Sequence, residues 1–267
     1  MMHPLCKART HRKAWAGAAL LGLCALASGC GGGGSGCAGQ PAQPVAIPAT
    51  PGAMPAHPLL QTLNAQGPVR IMPLGDSNTW GQLVAGSYRT QLYQDLSAEG
   101  IRTQFVGSLS NGPEALPSKS NEGHSGWAIS DIAGSADAWL KASQPQIVLI
   151  MIGTNDIWKQ QDTANAPQRL GDLIDQIARD LPQARIVVAS VPPMASADNN
   201  SAVVAYNSAI APLVAARAAQ GEHVFYADIY AAEPPADLLD EAHYNADGYA
   251  KMAEVWHNVL EHLPAQP

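Results

Sequence analysis

An α/β fold is predicted, with a mainly parallel five-stranded sheet covered by helices on both faces. Three observations predict it. Strand-like and helix-like segments alternate from about residue 67 onward. The segment "PQIVLIMIG" is almost wholly apolar, as a strand buried on both faces is. The remaining length, about 200 residues, suits one such domain.

Each element follows from its pattern. "VRIMPLG" at 69–75 reads as the first strand. "SYRTQLYQDLSAEG" places Tyr88, Leu92 and Leu96 at helical spacing and stops at Gly100. "RTQFVGS" is the second strand, and "AISDIAGSADAWLKAS" a helix expected to break or weaken at Gly134. After the "IVLIM" strand, "APQRLGDLIDQIARDLP" sets Leu170, Leu173, Ile174 and Ile177 on one helical face. "ARIVVASVPP" is the fourth strand and "NSAVVAYNSAIAPLVAARAAQG" a long helix. "HVFYADIY" is the fifth strand, and "NADGYAKMAEVWHNVLEHL" closes the domain as a helix.

The first 66 residues read differently. Lys7, Arg9, Arg12 and Lys13 precede an apolar run from Ala16 to Ala27. That run is far shorter than the ~20 residues of a membrane span. Basic residues, a short apolar stretch and small residues after it mark an export signal over residues 1–29. The signal ends in Ala27-Ser28-Gly29-Cys30, which resembles a bacterial lipobox, and this resemblance implies lipidation of Cys30. Residues 30–66 begin Gly-rich and turn Pro-rich without apolar periodicity, so a flexible tether is expected there. The domain itself is expected over 67–264. The chain is then exported, and either anchored to the cell envelope or secreted.

Composition narrows the partners. Of 267 residues, 46% are hydrophobic and 14% charged, with a formal net charge of −7. Loss of residues 1–29 leaves 11 of the 15 basic residues against 22 acidic ones, a net of −11. That balance argues against nucleic-acid binding. All four cysteines (Cys6, Cys24, Cys30 and Cys37) precede residue 38, so the predicted domain holds no disulfide and no cysteine metal site. The eight histidines show no paired ligand spacing with acids, and neither a catalytic metal nor a cofactor is expected.

In open parallel sheets the ligand site lies beyond the carboxyl ends of the strands. Three polar clusters fall there: Gly75-Asp76-Ser77, Gly153-Thr154-Asn155-Asp156, and Asp240-Glu241-Ala242-His243. Any one of them, taken alone, is read more simply as a turn or a helix cap. Together their chemistry is complementary. A serine hydroxyl needs a base to become a nucleophile, and His243 supplies one. Asp240, three residues earlier, reaches the other ring nitrogen. The Ser77 N–H and the Asn155 amide are donors for a developing oxyanion.

"GDSNTWG", "EGHSGW", "GTND" and "DEAH" stand in the order of the four blocks of the SGNH (GDSL) hydrolases, and the chain resembles that family over about residues 69–262. The resemblance implies a three-layer α/β/α sandwich of flavodoxin-like topology. It implies Ser77 as nucleophile, His243 as base and Asp240 as its orienter. Gly126 and Asn155 join the Ser77 N–H as oxyanion donors, with Gly123 the alternative glycine. Within the family the pattern is most similar to the family-three carbohydrate esterases, which implies acetylated carbohydrate as substrate. Asp76, Trp80, Trp127 and Trp158 lie close to the blocks and are candidate substrate contacts, the indoles by stacking on sugar rings. Hydrogen bonds that rigidify the site are the expected role of Asp76 and Asp156, and His124 is expected to stand by. A lipolytic acyl hydrolase and a non-catalytic carbohydrate-binding module are the competing readings.

Overall fold

The computed structural model describes residues 57–265. Its strands are β1 (Val69–Gly75), β2 (Thr103–Phe105), β3 (Leu109–Ser110), β4 (Ser120–Gly123), β5 (Ile147–Met151), β6 (Arg185–Ala189) and β7 (Val224–Ala227). Their order is β3-β4-β1-β5-β6-β7, with β2 also paired to β1. Every pairing is parallel except β3 with β4.

One edge of β1 carries two partners in succession. β2 pairs with Val69–Ile71 and β4 with Leu74 and Gly75. The five expected strands are therefore all present, in the order β2-β1-β5-β6-β7. β3 and β4 bring the total to seven, which corrects the five-stranded expectation. These two segments, of two and four residues, are too short to carry a periodicity.

The helices are α1 (Pro58–Gln66), α2 (Ser77–Trp80), α3 (Ser87–Ala98), α4 (Ile129–Ser143), α5 (Thr154–Trp158), α6 (Ala166–Asp180), α7 (Ala197–Ala219), α8 (Ile229–Ala232) and α9 (Ala246–Glu261). Two of them correct the sequence reading. α4 runs unbroken through Gly134, whose position has open space around it. α1 lies inside the expected tether, because Leu59 and Leu60 bury themselves against the domain. The export signal, the lipobox with Cys30 and the rest of the tether lie outside the described residues.

Alternation along the strands feeds two cores. Met72, Leu74, Val148, Ile150, Ile186 and Val188 face one side and pack with Ile132 and Leu140 of α4, Leu173 and Ile177 of α6, and Ile210 of α7. Ile71, Ile147, Leu149, Met151 and Val187 face the other, against Tyr88 and Leu92 of α3 and Met252 and Trp256 of α9. This is a three-layer α/β/α sandwich. Truncating a residue such as Ile150, fully buried in it, costs about 2–5 kcal/mol. The helical layers leave the carboxyl ends of β1, β5, β6 and β7 in one row along an edge of the sheet.

Candidate active site

β1 ends at Gly75, where the chain turns sharply into α2. A side chain at Gly75 would collide with the Met151 carbonyl of β5, so glycine alone permits that approach. Asp76 caps α2 by accepting the Asn78 N–H at 3.0 Å. It is fully buried, and burial, only partly offset by the Asn78 N–H, raises its pKa to about 6. Asp76 thus orders the turn and does not line the cleft. The turn leaves the Ser77 hydroxyl at the top of the sheet.

The loop from Asp237 to Asn245 brings the second cluster over it. Asp240 Oδ1 accepts the backbone N–H of Ala242 at 2.9 Å and of His243 at 2.8 Å. Tyr244 donates its hydroxyl to the Pro193 carbonyl at 2.6 Å, which fixes the loop against the segment after β6. His243 Nδ1 lies 2.8 Å from Asp240 Oδ2, and His243 Nε2 lies 2.8 Å from Ser77 Oγ. An ionised carboxylate only accepts, so the Nδ1 of His243 carries the proton and, in the neutral ring, its Nε2 accepts from Ser77. Partial burial works against ionisation of Asp240. The two N–H donors and the imidazole outweigh it and hold its carboxyl below the ordinary value.

Asn78 joins the two clusters. Its amide donates to the Ala242 carbonyl at 3.1 Å and accepts from the Tyr249 hydroxyl at 3.0 Å. The nucleophile turn and the histidine loop are thereby locked to each other and to α9.

The third cluster sits at the end of β5. Asn155, in the first turn of α5, donates one amide N–H to the Trp127 carbonyl at 2.9 Å. An amide has two such donors, and Asn155 also lines the cleft. Asp156 is buried beneath it, accepting the Ile129 N–H at 3.0 Å and Arg169 Nη2 at 2.8 Å. It ties α5 to α4 and α6, in keeping with the expected rigidifying role.

The geometry separates the two glycines left open by the sequence. Gly123 ends β4, and its N–H is spent on Asn121 Oδ1 at 2.9 Å. Gly126 lines the cleft, in the left-handed region at φ 82°, and its N–H has no acceptor among the described residues. Lys159 Nζ hydrogen-bonds the Gly126 carbonyl and fixes the orientation of that peptide.

The resulting cleft, about 480 Å³, is lined by Ser77, Gln82, Leu83, Ser125, Gly126, Thr154, Asn155, Trp158, Lys159, Asp240, Ala242 and His243. Trp158 is the one indole of the three candidates to line it, and it is 46% exposed. Trp127 stacks on His124 with ring centroids 4.2 Å apart, and His124 stacks in turn on Trp139 at 4.6 Å. The His124 ring also pairs with Glu122 at 2.9 Å, so this residue props the Gly126 loop and is no bystander. Trp80 does not line the cleft, and its backbone carbonyl accepts from Arg89 and Asn111. Of the candidate substrate contacts, Asp76, Trp80 and Trp127 thus stand outside the cleft lining.

Sequence reasoning missed Arg89. It is fully buried and has no carboxylate partner among the described residues. Its guanidinium donates to the carbonyls of Thr79, Trp80, Asn111 and Lys119 and to Asn111 Oδ1. Burial lowers its pKa to about 10, still well above neutrality. Arg89 clamps the end of α2 to the β3–β4 hairpin. A signal for it existed, since it shares a helical face with Leu92 and Leu96.

Comparison with known proteins identifies the family. Residues 74–251 match the model of the GDSL-like lipase/acylhydrolase family. The chain is 29% identical over 226 residues to a multidomain esterase of Ruminococcus flavefaciens, covering 74% of this chain but 29% of that protein. Among solved structures it is similar to a family 3 carbohydrate esterase of Clostridium thermocellum. The identity is 34% and the TM-score 0.66, over 72% of this chain and 96% of that one. A family 3 carbohydrate esterase from Talaromyces cellulolyticus shares the fold at 23% identity and a TM-score of 0.61, with the same two coverages.

Proposed function

The chain belongs to the GDSL-like lipase/acylhydrolase family, and from that premise we propose that it is a serine esterase removing acetyl groups from carbohydrate. One observation carries the proposal: Ser77 Oγ, His243 and Asp240 form a continuous relay with both links at 2.8 Å.

The geometry supports the following reaction. Ser77 Oγ attacks the ester carbonyl carbon while His243 Nε2 takes its proton. Negative charge gathers on the carbonyl oxygen, where the N–H groups of Ser77, Gly126 and Asn155 receive it. The intermediate collapses as His243 returns the proton to the departing sugar oxygen. Acetyl remains on Ser77. Water then repeats the sequence, with His243 as base, and releases acetate. Asp240 stabilises the imidazolium in both halves without being protonated.

The carbohydrate assignment draws on the Clostridium thermocellum relative and on Trp158, whose exposed ring stands at the lip of the cleft. An indole face there suits a sugar ring. The test is a substrate panel of acetylated xylan, acetylated glucosamine and aryl esters of increasing acyl length. The proposal expects acetyl esters to be preferred sharply, with Trp158→Ala raising KM on the polysaccharide more than on an aryl acetate. Turnover that rises with chain length replaces it with a lipolytic reading, for which Leu83 beside the cleft supplies apolar surface.

The proposal extends to location. The export pattern and the lipobox resemblance support a reading in which Cys30 becomes a lipidated N-terminus that holds the domain to the bacterial envelope. Attachment of this kind needs more than one acyl chain. Mass spectrometry of the mature N-terminus tests it, since an unmodified Cys30 in membrane fractions refutes anchoring.

A further inference from the structure

We propose that His57, Glu99 and His257 form a binding site for a divalent transition-metal ion, zinc by ligand preference, at the end of the sheet opposite the catalytic cleft.

The three residues come from separate parts of the chain. His57 precedes α1, Glu99 caps the end of α3, and His257 lies in the last turns of α9. Each offers one ligand atom, and these atoms all lie within 4.8 Å of one another. His57 Nε2 is 2.5 Å from Glu99 Oε2, and His257 Nε2 is 3.1 Å from Glu99 Oε1. The two imidazole rings meet edge to face at 5.3 Å.

The location is fixed by the topology. α3 starts near the cleft and runs down the sheet, so Glu99 arrives beside the beginning of β2. The Arg102 carbonyl there accepts the N–H of Val69, the first residue of β1. α9 also leaves the cleft, after His243, and carries His257 to the same edge. The backbone N–H of His57 binds the Glu261 carbonyl at 3.1 Å and holds α1 in place.

The donor set selects the metal. Two imidazoles and one carboxylate suit zinc and its first-row neighbours, whereas calcium and magnesium take oxygen ligands. Zinc–nitrogen and zinc–oxygen bonds of about 2.0–2.2 Å in a tetrahedron need ligand atoms roughly 3.4 Å apart. The His57–Glu99 gap has to open by less than about 1 Å to reach that spacing. Glu99 is 37% exposed, which leaves an entry path and room for a water as fourth ligand.

A second observation points to a missing cation. His57 Nδ1 and His257 Nε2 are both buried without a hydrogen-bond partner among the described residues. The latter faces Glu99 Oε1 at ion-pair distance, yet the two make no hydrogen bond. A metal ion held by Glu99 and His57 Nε2 gives His257 Nε2 the partner it lacks. Bound there, it ties His57, at the start of α1, to α3 and α9, and its role is structural.

The test uses the full chain with its cysteines alkylated, since thiolates also bind zinc. After treatment with a chelator and dialysis, zinc is titrated by calorimetry and the Tm measured with and without it. The expected result is one zinc per chain, a Tm raised by a few degrees, and ester hydrolysis unaffected by zinc or chelator. Glu99→Gln keeps the side-chain volume and is read first. It, His57→Ala and His257→Ala are each expected to weaken binding by more than the roughly tenfold that loss of an outer-shell partner costs. Absence of saturable binding to the folded wild-type chain overturns the proposal without recourse to any variant. Binding that survives all three substitutions overturns it as well. Neither outcome bears on the esterase, which is read separately from hydrolysis.

Discussion

His243 Nε2 stands 2.8 Å from Ser77 Oγ, although 166 residues separate them in the chain. With Ser77 as nucleophile, Ser77→Ala is expected to lower kcat for acetyl ester hydrolysis by at least about 10⁴-fold. The hydroxyl makes no contact that the fold depends on, so the Tm should move by no more than a degree or two. Turnover near the wild-type rate in that variant excludes the proposed mechanism.

Asp240 sets the tautomer of that histidine. Asp240→Asn presents an N–H where the ring needs an acceptor, and kcat is expected to fall by about 10⁴. Asp240 also receives two backbone N–H groups, so loop order should be checked in parallel by the Tm.

Asn155→Ala removes one oxyanion donor. The expected loss is about 10²–10³ in kcat, with KM changed little. An equal loss in KM alone would make Asn155 a ground-state binding residue instead. The variant also frees the Trp127 carbonyl, an accessory cost in stability of about 1 kcal/mol.

Arg89→Met removes the guanidinium from four carbonyls, and that of Asn111 is left with no other donor among the described residues. Urea unfolding is expected to show a loss of about 3 kcal/mol or more. Because the clamp holds the end of α2, kcat should drop as well, under conditions where the variant is fully folded.

Glu233 gives the stability a pH dependence. It is buried, and burial, partly offset by Lys251, raises its pKa from 4.5 to about 8. Between those values the folded chain holds a proton that the unfolded chain releases. Stability therefore falls as pH rises, by up to about 1.4 kcal/mol per unit. Urea unfolding at pH 6.5 and 8 separates this effect from Asp76, which titrates near 6. Glu233→Gln is expected to flatten the slope and to be the more stable protein at pH 8.

Much of the fold was legible because its signals are local. Period-2 and period-3.6 patterns gave five strands and the main helices, and Leu170, Leu173, Ile174 and Ile177 are all buried as their spacing requires. The strand-end rule located Ser77 and Asn155, whereas Asp240 and His243 stand on a loop well past β7, just before α9. The seven-stranded count was not legible, since β3 and β4 are shorter than one period of evidence. Nor was α1, a nine-residue helix of about two and a half turns that adjoins Pro-rich sequence.

By itself, then, the sequence determined the order of the elements and the chemistry available at their ends, because backbone repeat and residue type are carried in consecutive positions. Only the tertiary structure decided which groups face one another. It spent the Gly123 N–H on the Asn121 side chain and set Gly126 at the cleft. It turned Trp158 to the cleft and Trp127 into a stack with His124. It buried Arg89 among carbonyls, and it gathered His57, Glu99 and His257 at the far edge. Each of those outcomes depends on segments that pack across the sheet from distant parts of the chain, and no local pattern encodes the distance between them.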